Sequence, residues 1–294
     1  MRTRSPWRRC RSRRTPRGAN GWARQRARTR SSSDSRAWSD ESNRCTKHWC
    51  GRSALTPEDA FLSKQRLLVI APHADDECFG CAGTMARIKH LGGEVYCIVC
   101  SVGDLKHYDG KAHEVSGGTR EAELKSVMDF LEVDDWEVLF RDEQTHLRLD
   151  AMPRRDLIAL FERDAKLALD RLQPTMVAVP VSSYNQDHEA VFRAAWTALR
   201  PGVPSAKPFQ RIVLGYDNTS LFWSLEREKF HPNFYVDISQ FLEHKLKALS
   251  MHRSQMRDAI HHSSLQNVEY TARVRGREIS VEAAEGYMAF RHVL

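Results

Sequence analysis

Six short apolar runs, separated mostly by longer segments of helical spacing, restrict this chain to very few architectures. The runs are Leu67 to Ile70, Glu94 to Cys100, Glu137 to Phe140, Met176 to Val181, Arg211 to Tyr216 and Phe234 to Ile238. Between the first five lie segments 79–91, 119–131, 153–172 and 188–199, each with apolar residues recurring three and four apart. Strands alternating with helices need crossover connections, so the pattern predicts an α/β fold: a mostly parallel sheet with helices on both faces. The early runs are nearly continuous in Val, Ile and Leu, as strands buried on both sides are.

In sheets of this kind ligands bind beyond the carboxyl ends of the strands. Two clusters of chemistry-bearing residues sit there. His73, Asp75, Asp76 and Glu77 follow the first run, and Asn185, Asp187 and His188 follow the fourth. Carboxylates packed this closely repel one another unless a cation or a proton intervenes, and His with Asp is the ligand set of a catalytic zinc that keeps a position open for water. His73, Asp76 and His188 can supply three ligands. Asp75 and Asp76 project in different directions from a tight turn, so one binds the ion and the other is free to act as a general base. The competing reading is that the two acids merely cap a helix beginning near Cys78; the preceding His, the following Glu and the strand upstream weigh against it.

The formal charge of +7 is concentrated at one end. Residues 1–53 carry 15 Arg and one Lys against three acids, a net of +13, which leaves −6 for residues 54–294. The first segment is rich in Arg and Ser, poor in aliphatics and without period, so it is expected to be disordered, with the folded domain spanning 54–294. Any nucleic-acid role is confined to that basic tail. The tail is free of acids up to Asp34, as a transit peptide is, but lacks the apolar face such peptides need. No apolar stretch approaches the roughly 18 residues of a spanning helix. Seven cysteines, an odd number without a secretory leader, point to a reducing compartment, hence the cytoplasm. Cys78, Cys81, Cys97 and Cys100 have the spacing of a four-cysteine zinc module. Cys97 and Cys100, however, lie three apart on one strand and so point to opposite faces, which favours core packing.

Pro72-His73-Ala74-Asp75-Asp76-Glu77 resembles the His-x-Asp-Asp-Glu signature of the PIG-L (LmbE-like) family of zinc-dependent N-acetyl-sugar deacetylases. Further stretches agree in order: Thr119 to Glu123 with an Arg-x-x-Glu helix, Gln186-Asp187-His188 with an Asp-His metal motif, Lys245 to Gln255 with a Lys-x-x-Ala-Leu…His-x-Ser-Gln segment, and Ala284 to Met288 with a closing element. The resemblance covers about residues 67–294 and implies a Rossmann-like domain that removes acetate from an N-acetylglucosamine-type sugar or conjugate. It implies zinc on His73, Asp76 and His188, with Fe²⁺ compatible with the same ligands, and Asp75 as base. Many members carry His where this chain has Asn185; an Asn amide can donate a hydrogen bond to an oxyanion but no proton to a leaving amine. Asp187, which orients that His in the family, is expected here to hold Asn185 or the loop. Arg120 and His252 are expected to contact substrate, Arg120 near the site mouth as a substrate or loop contact and within pairing distance of Glu123. His252 is expected on a helix opened by Asp237 to Ser239. His261 and His262 are expected to be solvent-exposed, and His107, His113 and Asp104 to line the rim. Two alternatives stand beside this reading: an amidase for a thiol-conjugated amino sugar, and a non-enzymatic nucleic-acid or phosphate binder acting through the tail. A homo-oligomer is compatible with either.

Overall fold

A computed structural model describes residues 55–106, 114–203, 205–218 and 230–293. The basic segment 1–53, His107 and His113 lie outside the described residues. The six expected strands form as β1 (Arg66–His73), β2 (Glu94–Ser101), β5 (Asp135–Phe140), β6 (Met176–Pro180), β7 (Ile212–Tyr216) and β8 (Phe234–Asp237). A two-residue pair, β3 (Leu105–Lys106) and β4 (Glu114–Val115), stands apart from the main sheet, and β9 (Ala284–His292) closes it. The order is β5-β2-β1-β6-β7-β9-β8, parallel from β5 to β7, with β9 antiparallel to both its neighbours.

Alternate β1 residues feed the two cores. Leu67, Val69 and Ala71 pack beneath α2 (Asp76–His90), α3 (Gly117–Phe130), α7 (Leu242–Met251) and α8 (Leu265–Glu278). Leu68 and Ile70 face α4 (Arg154–Ala159), α5 (Leu169–Leu172) and α6 (Gln186–Ala198). Both faces are therefore covered, and a short α1 (Pro57–Leu62) precedes the sheet. Cys97 and Cys100 fall in different cores, and Cys78, Cys81, Cys97 and Cys100 are all buried and free. Among the described residues no helix is long and apolar enough to cross a membrane.

The periodicity over 153–172 predicts one helix, but the chain forms α4, a π turn at Leu160–Asp164 and the separate α5. Glu137 is the cause: its carboxylate accepts the backbone N–H groups of Leu167 at 2.6 Å and Lys166 at 3.2 Å, and amides so engaged leave the helical ladder. Asp237 does not cap α7; its carboxylate accepts from Ser239 N in a local turn, and α7 stops before His252.

A buried ion pair is inserted beside α2. Lys245 Nζ donates to the carbonyls of Cys78 (3.0 Å) and Phe79 (2.7 Å) and to Glu285 Oε1 (2.6 Å). Glu285 in turn accepts from the amides of Gly83 (2.9 Å) and Thr84 (2.7 Å). The helix can sit this close to the sheet only because residue 80 is Gly: a Cβ there would lie 2.3 Å from the Tyr216 ring. Losing one member of a fully buried pair strands the other, so Lys245→Met is expected to lower unfolding stability by about 3–5 kcal/mol. Urea denaturation measures this, with Lys125→Ala, from a pair exposed by 65% and 63%, expected to change little.

Candidate metal centre

β1 and β6 are neighbours in the sheet, so the turns that leave them meet, and residues 115 positions apart share one site. The His73 and His188 ring centroids are 5.5 Å apart. One ligand atom from each of His73, Asp76 and His188 lies within 4.8 Å of the others, and all three side chains are buried. Asp76 Oδ2 is 3.2 Å from His188 Nε2 and 3.5 Å from His73 Nδ1, and it accepts the His73 backbone N–H at 3.0 Å. His188 Nδ1 is buried without a hydrogen-bond partner among the described residues. Buried polar atoms are seldom left so, and two imidazoles converging on a carboxylate form a donor set suited to a divalent cation.

Asp187 is fully buried and grips His73: its Oδ2 lies 2.8 Å from His73 Nε2, and its Oδ1 accepts Leu149 N at 2.9 Å. Of the two expected partners, Asn185 or the loop, the carboxylate takes no bond from Asn185 among the described residues; it holds His73 and the backbone of Leu149. A carboxylate on one ring nitrogen leaves the other, Nδ1, to face Asp76, which is the usual arrangement behind a ligating imidazole. Asn185 is the N-cap of α6, its Oδ1 accepting from Asp187 N at 3.1 Å and His188 N at 3.3 Å. Its amide NH₂ is the group left to donate elsewhere.

Asp75 occupies the turn between β1 and α2 at φ 129° and ψ −28°, and its carboxylate makes no cap hydrogen bond. The helix-cap reading of Asp75 is thereby set aside. Burial and the neighbouring Asp76 push Asp75 up to about 7, against the opposing pull of His252 and Arg120. At Asp76 burial acts upward too, but His188 and His73 outweigh it and hold the carboxylate well below its usual range. Burial lowers His73, yet its bonds to Asp187 and Asp76 win and raise it to about 9.

Two expected substrate contacts are placed deeper. Arg120 is only 3% exposed; its NH1 donates to Gly103 O at 3.2 Å and to His146 Nε2 at 2.8 Å, while Nε has no partner among the described residues. Arg120 is therefore not at the mouth, and its expected partner Glu123 instead accepts from Ser254 N and Oγ at 2.9 and 2.6 Å. His252 is 1% exposed and bonded to Glu77 at 2.7 Å, so it too is withdrawn from the mouth. Asp104 accepts from Gly117 N, at the start of α3, at 2.6 Å. His261 and His262 are half-buried and stacked 4.1 Å apart, not solvent-exposed as expected.

His146 was not singled out from the sequence. It lies edge-on to His73 at 5.6 Å and bridges Ser101 Oγ, 3.0 Å from Nδ1, to Arg120. The strand-exit rule that flags His73 would have flagged His146, six residues past β5. Glu77 was noted only as a third acid.

With this geometry in view, the comparisons with known proteins align. The PIG-L family, described as GlcNAc-PI de-N-acetylase, matches residues 68–199. The chain is 26% identical over 202 residues to a diacetylchitobiose deacetylase of Thermococcus kodakarensis, covering 67% of this chain and 72% of that one. Among solved structures it resembles the conserved protein TT1542 of Thermus thermophilus (TM-score 0.61, 25% identity, 78% and 96% coverage). It also resembles the N,N'-diacetylchitobiose deacetylase of Pyrococcus horikoshii (TM-score 0.58, 23% identity, 82% and 95% coverage). The PIG-L match runs from β1 through α6 and so includes both turns of the candidate centre.

Burial, Arg120 and His73 hold His146 down to about 4. A His depressed in the folded state binds fewer protons than in the unfolded chain, whose value is near 6.5. Its contribution to stability is therefore present above about 6.5 and is lost as pH falls toward about 4. Comparing denaturation of the wild type with His146→Gln from pH 7 to 4 is expected to show the wild type losing more stability on acidification.

Proposed function

We infer that this protein is a metal-dependent hydrolase that removes acetate from an N-acetylated amino sugar of the N-acetylglucosamine type. The observation that carries the reading is the convergence of His73, Asp76 and His188 on one point beside a carboxylate, Asp75, that its own helix does not use. The deacetylase named among the relatives supports the same substrate class.

In this reading His73, Asp76 and His188 hold the cation; zinc suits two imidazoles and a carboxylate, and Fe²⁺ is compatible with them. When bound, the ion supplies Lewis acidity toward water and toward the acetyl carbonyl. Asp75 takes the proton from the attacking water and returns it to the leaving amine, a double duty suited to a carboxylate raised to about 7. The Asn185 amide donates to the developing oxyanion. Asp187 holds the His73 ring in place. Arg120 and His252 act from beneath the site, as their burial requires. Residues 54–294 are the catalytic domain, and the basic segment 1–53 is a separate extension. The four buried free thiols fit a reducing compartment such as the cytoplasm.

The test is acetate release from a panel of N-acetylglucosamine, its β-linked dimer and N-acetylglucosaminyl conjugates, by metal-loaded and chelated protein with metal analysis alongside. Activity is expected only in the loaded protein, with one ion per chain. Asp75→Asn is expected to lower kcat by about 10²- to 10⁴-fold, the contribution of a positioned general base, with the ion retained. Near-normal turnover in that variant, or release of a larger acid in place of acetate, overturns the reading.

A further inference from the structure

Asp75 is held in a backbone conformation that it would not choose. A φ of 129° is one that L side chains rarely adopt, and a residue kept in such a region costs about 1–3 kcal/mol that its surroundings must offset. An Asp preceding a helix ordinarily turns its carboxylate onto the first-turn amides. Here it does not.

Two buried side chains hold the Asp75 backbone in this conformation. Glu77 reaches back and accepts the Asp75 backbone N–H on Oε2 at 3.0 Å. The bond resembles the return bond of a capping box, but it is made from the second helical position rather than the third, and no cap bond runs outward from the Asp75 side chain. The other oxygen, Oε1, lies 2.7 Å from His252 Nε2, and the two side chains are 0% and 1% exposed. A lone carboxylate this deep would protonate or turn away; His252 gives it a partner and a fixed direction. His252 is itself fixed at the end of α7, its N–H on Leu249 O at 3.1 Å, while the following turn is tied to Glu123 on α3 through Ser254. Donor atoms of Glu77, Cys78 and His252 fall within 4.8 Å of one another, but Glu77 and His252 already satisfy each other.

We propose that the Glu77–His252 pair is a positioning device: it locks the strained Asp75 backbone so that the Asp75 carboxylate points into the site. The inference rests on the reading of Asp75 as the base. His252, far in sequence from the signature that contains Asp75, is then a positioning residue for it without touching substrate.

The test uses the full-length, metal-loaded protein and the fastest substrate of the panel. His252→Ala is expected to lower kcat by about 10- to 100-fold, the cost of misplacing a reacting group by about an ångström, with KM and metal content little changed. His252→Gln, whose amide can still donate to Glu77, is expected to restore turnover, and in an Asp75→Asn background His252→Ala is expected to add no further loss. Losses that multiply in that background, a change in KM or metal content that tracks the loss, or failure of Gln to restore turnover overturn the proposal. If the Ala variant does not fold, His252→Asn, too short to reach Glu77, takes its place against His252→Gln with the same expected contrast. Wild-type turnover in Asp75→Asn alone would remove both this inference and the reading beneath it, whereas multiplying losses remove this inference only.

Discussion

Four carboxylates, Asp75, Asp76, Glu77 and Asp187, crowd the carboxyl end of two central strands, and three of them are buried. Buried like charges cannot coexist unpaired, and the local structure is largely the solution to that problem. Asp76 is shared by His73 and His188, Asp187 takes the far side of His73, and Glu77 takes His252. Asp75 alone has no imidazole bonded to it. Asp75 is therefore the carboxylate with the least to stabilise its charge, and burial moves its proton affinity toward neutrality.

The same logic extends to the frame that carries these groups. Asp76 and Glu77 occupy the first turn of α2, and the next turns of that helix are held by the Lys245–Glu285 pair, from α7 and β9. Lys245 and Glu285 thus meet in space although neither side chain is among the candidate ligands. They fix the helix whose first turn holds Asp76, a candidate ligand. The turns after β1 and β6 carry the candidate reactive groups, and later elements hold those turns still.

Much of this was legible in the sequence, for identifiable reasons. Strands such as Leu67 to Ile70 are apolar on both faces, as in a doubly covered parallel sheet, so the sheet's parallel character followed from the pattern, whereas its strand order was not read. His73, Asp76 and His188 were legible because strand exits concentrate function in such sheets. The break at Ala165 was not, because it depends on Glu137, a side chain from another element that withdraws two amides from a helix with good periodicity. β9 was not read as a strand: its start buries Glu285, and a charge facing inward disrupts the alternation by which strands are recognised. Glu77 and His252 resisted for a similar reason. Each is an ordinary surface type by composition, and only the fold shows that they are partners 175 positions apart.

The substitution of Asn185 gains its meaning from the same accounting of partners. An imidazole at that position would offer a second proton carrier beside the candidate ligands; an Asn whose Oδ1 caps α6 offers only a hydrogen-bond donor. His146, the nearest other imidazole, has Ser101 at one nitrogen and Arg120 donating to the other, so Nε2 must stay unprotonated for that bond to exist. It cannot take over as an acid. In the proposed reaction the proton taken from water must then return through the group that removed it, and that group must release it as readily as it binds it. A carboxylate at its ordinary strength would bind the proton too weakly to remove it efficiently, whereas one near neutrality balances both steps. In the proposed reaction, the half-buried Asp75 beside Asp76 is the group suited to serve a site with Asn185 as its single acid–base residue.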